Sequence, residues 1–269
     1  MTRIPLTDIW PDHAPLIGMV HLGPLPGSPA WAGNMTKVLD QARRDADALV
    51  AAGFDGLMVE NYSDVPFFRG LVPAETIAAM TACTLAVAET AGVPVGVNVL
   101  RNDALGALGV ATATGARFVR VNVHTGAMWT DQGLIEGDAA HTLRRRRELG
   151  SSAAIFADVH VKHATPPHGE SITAAASDGW HRGRSDALVV SGVGTGAVTD
   201  PDHLRAVRAA LPGAPLLVGS GASPENAEAL LTLSAGLIVG SSVNHLVGKR
   251  VRDLVELQGE AVPRGRGLA

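Results

Sequence analysis

The sequence is poor in the features of disulfide-stabilised and membrane-spanning proteins. Its single cysteine, Cys83, excludes an intramolecular disulfide, and the alanine-rich helical stretch around it predicts a small packed side chain. No apolar run approaches the roughly 18 residues of a membrane-spanning helix. The N-terminal residues also lack the apolar segment of a signal peptide. We therefore expect a cytoplasmic protein without membrane insertion.

An excess of positive charge is also absent. Lys and Arg total 22 against 26 Asp and Glu, which gives a formal net charge of −4. This balance argues against nucleic acid or an anionic membrane as the partner. The basic run 144–147 ends a predicted helix, where solvated arginines complement the helix dipole. Lysine is rare (Lys37, Lys162 and Lys249 only), so Lys162 at the end of a predicted strand stands out.

A short apolar run, a loop and a helix-like stretch repeat about every 30 residues, the length of one βα unit. Pro73 and Asp200 mark helix starts, Gly92 marks a helix end, and a further helix is predicted to start at 223–226. The predicted strands are Leu16–Leu22, Asp55–Asn61, Val93–Val99, Phe118–His124, Ala153–Lys162, Ala187–Ser191, Leu216–Ser220 and Gly236–Gly240.

Eight such units fit either a closed (β/α)₈ barrel or an open doubly wound sheet. A GxGxxG fingerprint after the first strand would favour the open sheet. That segment instead reads HLGPLPG, with prolines where the helix should start. No linker divides the chain. The sequence therefore predicts one α/β domain over residues 1–269, a TIM barrel with a short lead (1–14) and tail (260–269).

Polar and apolar residues alternate along several predicted strands. Because alternate residues of a barrel strand face the helices and the axis, we predict that Val119, Val121, Val159 and Val161 face outward. The polar residues then face inward, near the carboxyl ends where barrel enzymes place catalytic groups. A structural polar core is the alternative for any one of them. The inward candidates are His21, Glu60, Asn61, Asn98, Arg120, Asn122, His124, Asp158, His160 and Lys162.

Glycine-rich loops end the last three predicted strands. Glycine lets backbone N–H groups approach an anion, and the loops after strands seven and eight of this fold are its usual phosphate site. Tight turns that need glycine are the structural alternative. The predicted phosphate-binding residues are Gly194, Thr195, Gly196, Gly219, Ser220, Gly221, Gly240 and Ser241.

Other loops at the same end would form walls or a lid, among them 66–69 and 129–132. Four residues have side chains suited to a divalent ion, namely His21, Glu60, Asp158 and His160. No HxH or HExxH spacing supports a metal, and we predict neither a metal nor another cofactor.

The chain resembles the BtpA/SgcQ family. The matching motifs are LIGMVHLGPLPGSP (16–29), DGLMVENYSDVPF (55–67), GVNVLRNDA (96–104), FVRVNVHTGA (118–127), TDQGLIEG (130–137), ADVHVKHA (157–164), LVGSGA (217–222) and LIVGSS (237–242). The resemblance implies a TIM barrel of the ribulose-phosphate-binding type. It also implies a link to photosystem I accumulation or to sugar utilisation, without a defined reaction.

We expect an enzyme acting on a phosphorylated sugar or sugar-derived molecule by lyase, aldolase or isomerase chemistry. Glu60 and Asp158 are the acid–base candidates. Lys162, at the rim above a deeper Asp158, would form a Schiff base or act as a fixed cation. Asn122 and His124 would polarise or orient the substrate.

The remaining inward residues, together with Arg101, would bind substrate; Arg101 would reach a second anionic group. Asp158 has a second interpretation, as the structural partner of Arg120. The alternative functions are cleavage of a glycosidic, C–N or C–C bond in a ribosyl substrate and a non-catalytic photosystem I assembly factor. The oligomeric state stays open, a homo-oligomer included.

Overall fold

The computed structural model describes residues 2–192, 194, 199–223 and 225–240. Its strands are β1 (Leu16–His21), β2 (Gly56–Glu60), β3 (Val95–Asn98), β4 (Phe118–Val121), β5 (Ala127–Thr130), β6 (Gly133–Glu136), β7 (Ala154–Val159), β8 (Ala164–Thr165), β9 (Ala187–Val190), β10 (Leu216–Val218) and β11 (Leu237–Val239). Its α-helices are α1 (Met35–Ala51), α2 (Ala74–Ala91), α3 (Ala104–Thr114), α4 (Ala139–Glu148), α5 (Ile172–Ser177), α6 (Pro201–Ala210) and α7 (Ala227–Leu233). Thr195, Gly196, Ser241 and the predicted tail lie outside the described residues.

Eight parallel strands close into a barrel in the order β1-β11-β10-β9-β7-β4-β3-β2. The barrel closes where Leu16 pairs with Leu237. The predicted (β/α)₈ fold is therefore confirmed, and the doubly wound sheet is excluded. All eight barrel strands fall inside the predicted spans, because each is a short apolar run bounded by turn residues.

Most of the predicted helix punctuation is present. Asp200 accepts a hydrogen bond from the Asp202 amide at the start of α6, and Gly92 ends α2 with a φ of 65°. The segment 223–226 starts a helix as predicted, since α7 begins at Ala227 with Asn226 as its N-cap residue, although the Asn226 side chain does not cap the helix. Asn226 instead uses its side chain on the Ser223 amide and the Gly221 carbonyl.

Apolar side chains fill the amino-terminal half of the barrel interior. The rings of Phe118 and Phe156 stack with centroids 4.9 Å apart, and Trp10 from the N-terminal lead packs against Phe118 from below. Gly96 makes room for them, because a Cβ there would lie 2.1 Å from Phe118 Cε2. This apolar floor lies beneath the polar residues of the same strands.

The predicted outward register is confirmed for Val119, Val121 and Val159, which pack in the core shared by the strands and the helix layer. It is wrong for Val161, which packs with Val123 beneath the small sheet described next. The reason is that β7 stops at Val159 and the next residue, His160, has a φ of 50°. This left-handed residue breaks the strand alternation.

A second, three-stranded antiparallel sheet of β6, β5 and β8 lies beside the carboxyl ends of β4 and β7. One of its faces buries Met128 and Ile135, and the other exposes Trp129. The basic run is not wholly solvated as predicted, because Arg146 is buried in an ion pair with Asp186. Across the described part of the chain, no helix is both long and apolar enough to cross a membrane.

Candidate functional site

At or near the end of each barrel strand lies one inward-facing residue that is polar or small. It follows by two positions a residue of the same strand that faces into the lower part of the barrel. The strands thereby form a ring above the apolar floor. One half of the ring carries long polar side chains, and the half built by the last three strands carries a hydroxyl and two glycines. In order along the chain, the ring comprises His21, Glu60, Asn98, Arg120, Asp158, Ser191, Gly219 and Gly240.

His21 and Glu60 are register partners on β1 and β2. His21 Nε2 lies 3.4 Å from Glu60 Oε1, and the Glu60 side chain is 7% exposed. Burial alone would raise the pKa of the Glu60 carboxyl. The hydrogen bond from His21 and the positive charges of His21, Lys162 and Arg120 outweigh burial, so the pKa lies below its ordinary value. Glu60 is therefore an ionised carboxylate, and among the described residues His21 is its one side-chain hydrogen-bond partner.

Asp158 is held differently. Arg120 donates to both of its carboxylate oxygens, with Nη2 2.8 Å from Oδ1, and Asn122 Nδ2 donates to Oδ2 at 2.7 Å. Burial lowers the pKa of Arg120, but Asp158 and Glu60 raise it above the ordinary value. Asn98 Nδ2 extends the network to Asn122 Oδ1 at 3.1 Å. The pair of Arg120 and Asp158 is thus a fully hydrogen-bonded buried ion pair.

Two further cations lie at the mouth of the barrel. Burial and Arg120 lower the pKa of Lys162, against the opposing effects of Glu60 and Asp158. No described residue forms a hydrogen bond or ion pair with Lys162 Nζ. Arg101 Nη2 donates to the Lys162 carbonyl at 2.7 Å, and burial lowers the Arg101 pKa. The cations Arg101, Arg120 and Lys162 thus lie near the carboxylates Glu60 and Asp158, with Asp131 a further acid near Arg101.

Described glycines at the ends of β10 and β11 lie against the same cluster. A Cβ on Gly219 would lie 3.1 Å from Arg120 Nη2, and one on Gly240 would lie 3.5 Å from His21 Cε1. Ser220 Oγ accepts the Gly192 amide at 3.0 Å, which joins the loop after β9 to that after β10. Gly221 has a φ of 71°, as expected of a tight turn. The described glycines therefore adjoin the polar cluster.

Three predicted site residues have hydrogen-bond partners outside the ring of strand-end residues. His124 is buried beyond the end of β4, with Nε2 2.8 Å from the Gly183 carbonyl, and burial lowers its pKa. His160 Nε2 lies 3.3 Å from Glu170 Oε2, because its left-handed φ turns the side chain aside. Asn61 uses its amide on the Leu100 backbone and links the loops after β2 and β3.

Sequence reasoning missed several neighbours of the cluster. The ring of Tyr62 stacks on His21 with centroids 4.3 Å apart. Ser191 Oγ lies 3.5 Å from Arg120 Nη2, and the imidazole of His163 lies beside Gly194. Tyr62 carried a usable signal, since it is the only tyrosine of the chain and follows Glu60 by two residues.

We tested whether the site residues suit a metal ion. Within the ranges that the structure describes, no three His, Cys, Asp or Glu side chains are grouped as metal ligands. The acceptors of Asp158 are occupied by Arg120 and Asn122. Asn98 Oδ1, by contrast, is buried without a hydrogen-bond partner, so it is an acceptor that a ligand or a water molecule could use.

The model of the BtpA family matches residues 12–257 of this chain. The photosystem I biogenesis protein BtpA of Synechocystis sp. is 47% identical over 88% of this chain and 83% of its own length. A protein of Thermococcus kodakarensis is 43% identical over 93% of this chain and 97% of its own length. Both relatives are similar over nearly the whole barrel.

Among solved structures, the chain is similar to a Thermoplasma acidophilum (S)-3-O-geranylgeranylglyceryl phosphate synthase in complex with its substrate sn-glycerol-1-phosphate. The TM-score is 0.62 at 16% identity, with coverage of 97% of this chain and 100% of the other. A 3-hexulose-6-phosphate synthase from Salmonella typhimurium has the same TM-score and identity, with coverage of 92% and 100%. At such identities the likeness shows the barrel fold alone.

Proposed function

The chain belongs to the BtpA family, and from that premise we propose that it is an enzyme acting on a phosphorylated sugar or sugar-derived small molecule. The reaction would be acid–base chemistry of lyase, aldolase or isomerase type at the carboxyl end of the barrel. The observation that carries the proposal is the buried, ionised Glu60 beside His21, in a cluster that glycine loops adjoin.

Glu60 suits the role of the general base better than Asp158 does. A base must accept a proton from substrate within hydrogen-bond reach. Glu60 has His21 as its one side-chain hydrogen-bond partner, and His21 is placed to relay a proton between Glu60 and a substrate oxygen. Asp158, with both oxygens occupied, fits a positioning residue that holds Arg120 and Asn122.

Lys162 would supply positive charge next to the reacting carbon. Its lowered pKa and its lack of an ion pair among the described residues suit either a Schiff base with a carbonyl or electrostatic stabilisation of an enolate. Borohydride reduction in the presence of substrate separates the two. A covalent adduct on Lys162 supports the Schiff base, and turnover by Lys162→Met would exclude both roles.

The phosphate would lie on the glycine half of the ring. Arg101 and Lys162 lie beside the paired Arg120 at the mouth, and Lys162 has no ion pair among the described residues, so an anion would find positive charge there. The names of two similar structures support a phosphorylated substrate, since one is a synthase in complex with sn-glycerol-1-phosphate and the other is a 3-hexulose-6-phosphate synthase. Backbone N–H groups of the loops after β9, β10 and β11 would hold it, among them those of Thr195, Gly196 and Ser241.

A panel of sugar phosphates tests the proposal. Thermal unfolding of the wild type is measured with each compound, and compounds that stabilise the protein are then assayed for turnover. We expect Glu60→Gln to stay folded and stabilised by the ligand but to lose turnover, since glutamine keeps the shape and removes the base. Glu136→Gln, on the exposed side of β6, is the matched control. Unchanged turnover in Glu60→Gln would contradict the role.

The name of the Synechocystis relative supports a second function, that of a photosystem I biogenesis factor. A purely structural factor would keep its role when Glu60 is replaced, whereas an enzyme would lose it. A ribosyl bond-cleaving reaction would use the same Glu60, and product analysis distinguishes it from isomerisation.

We also propose that residues 1–269 act as one cytoplasmic domain. The lead supports this, because Leu6, Ile9 and Trp10 pack into the barrel floor instead of forming a separate unit. Fractionation of cells that produce the protein tests the location, and limited proteolysis tests the domain.

A further inference from the structure

A separate pocket of about 340 Å³ opens between the loops after β1 and β2. Its walls are flat and apolar, formed by Pro29, Pro66, Phe67 and Phe68. The lining also includes Asn61, which directly follows strand β2 and is the chain neighbour of Glu60. The pocket has the size and the mainly apolar lining of small-molecule sites.

The polar groups of this pocket are hydrogen-bond acceptors or hydroxyls. Asp64 accepts the Leu25 amide at 2.8 Å and Asn61 Nδ2 at 3.1 Å, one on each oxygen, which leaves further lone pairs on both. Burial raises the pKa of Asp64, although these two donors and the nearby Ser28 oppose the rise. Ser28 Oγ is buried close enough to Asp64 to act on its carboxylate, but among the described residues it makes no hydrogen bond of full geometry.

The charge of the lining determines which ligands fit. The pocket is lined by one carboxylate, that of Asp64, and by no Lys, Arg or His. A phosphate would therefore be repelled here and attracted to the cationic mouth. A ligand that donates hydrogen bonds to Asp64 and Ser28 while presenting flat faces to the phenylalanines and prolines fits both features.

We propose that this pocket binds a planar nitrogen heterocycle of nucleobase size, with its N–H groups donating to Asp64 and Ser28 and its face against Phe67. The inference rests on the proposed function in one respect. The ring would belong to the same substrate as the phosphorylated sugar, which would extend from the pocket past Asn61 to Glu60. The substrate class is then a sugar phosphate that carries a nitrogen heterocycle.

Binding measurements with fragments of such a molecule test the inference. Dissociation constants are measured by calorimetry for ribose 5-phosphate, for the free nucleosides and for the nucleoside 5′-monophosphates. We expect at least one monophosphate to bind about tenfold more tightly than ribose 5-phosphate, a factor within the range that stacking of one base on an aromatic side chain contributes. The corresponding free nucleoside should bind measurably by itself.

Two pocket variants test whether the tighter binding of the monophosphate arises in this pocket. Ser28→Ala removes the hydroxyl beside Asp64, and Phe67→Leu removes the flat face while keeping an apolar side chain. Each should reduce the advantage of the monophosphate at least threefold and leave ribose 5-phosphate binding unchanged. Trp129→Leu changes an exposed aromatic residue of strand β5, away from the pocket, and is the control that should change neither affinity.

The outcomes separate the two proposals. If no monophosphate binds more tightly than ribose 5-phosphate, or if the advantage survives both variants, the heterocycle pocket is wrong and the phosphate site stands. If ribose 5-phosphate and inorganic phosphate do not bind while a nucleoside binds in a Phe67-dependent way, the pocket stands and the proposed sugar phosphate function is wrong.

Discussion

Arg120 and Asp158 form an ion pair in which both side chains are fully buried, with Arg120 Nη2 2.8 Å from Asp158 Oδ1. The two residues lie on neighbouring barrel strands, β4 and β7, directly above the stacked rings of Phe118 and Phe156. The pair separates the apolar floor from the polar mouth. It favours the structural interpretation of Asp158 over the acid–base one.

Asp158→Asn should therefore lower the free energy of unfolding by about 3–5 kcal/mol, because it leaves a buried guanidinium without its counter-charge. Urea denaturation measures the change. The control is Asp202→Asn, which breaks the exposed pair with Arg205 and should cost under about 1 kcal/mol. If Asp158→Asn is as stable as the wild type and binds ligand without turnover, Asp158 is catalytic instead.

Phosphate should raise the unfolding temperature of the wild type, because a ligand that binds only the folded state stabilises it. Gly240→Ala should weaken this stabilisation without unfolding the protein, since its Cβ would meet the His21 ring at 3.5 Å, an ordinary contact, in the space proposed for the anion. Gly213→Ala, where a Cβ would meet nothing within 4 Å, is the control. Equal stabilisation of all three proteins by phosphate would place the anion elsewhere.

The charge of Glu60 should influence the pKa of Lys162. Glu60 raises the pKa of Lys162, so Glu60→Gln should lower that pKa further and make the amine reactive at lower pH. Competitive acetylation across a pH series, read by peptide mass spectrometry, measures this. The chain has only three lysines, which simplifies assignment. The same pH profile in Glu60→Gln and the wild type would show that the two groups do not interact.

Acidification should destabilise the protein through His124. Burial lowers the pKa of His124 in the folded state, whereas in the unfolded chain it is about 6.5. As the pH falls below about 6.5, the unfolded chain takes up a proton that the folded chain does not. Stability therefore falls by up to about 1.4 kcal/mol per pH unit until the folded pKa is reached.

Urea denaturation at pH 7.5, 6.5 and 5.5 measures the slope. His124→Gln, whose amide can donate to the Gly183 carbonyl, should remove the His124 contribution to the acid loss. His141→Gln replaces an exposed histidine of α4 and should leave the acid-induced loss of stability unchanged. If His124→Gln loses as much stability per pH unit as the wild type, the loss comes from other titrating groups.

The fold was predictable because each barrel strand is a local signal, an apolar run of β-branched residues between turn residues. The inward register was predictable only as far as the strands extend. On β7 the alternation that assigned His160 and Lys162 to one face ends at Val159, and the left-handed φ of His160 has no marker in a histidine. The pairing of Arg120 with Asp158 was correctly anticipated as an alternative, because both share the inward parity of neighbouring strands.

Other parts of the site depend on contacts between distant segments. The burial of His124 depends on Gly183, 59 residues away, and the heterocycle pocket depends on two loops that meet only in the folded barrel. Tyr62 has no periodic partner that would predict its stacking on His21. Such relations are set by tertiary packing, which a single sequence does not display.

The lead of the chain has a consequence for synthesis on the ribosome. The Ile4 amide donates to Asp186 Oδ1, and β1 completes its pairing only with β11, which starts at Leu237. At roughly 5–20 residues per second, the first strand therefore waits on the order of ten seconds or more with one edge unpaired. An unpaired apolar edge invites pairing with other chains. The barrel is thus most exposed to pairing with other chains between the emergence of β1 and that of β11.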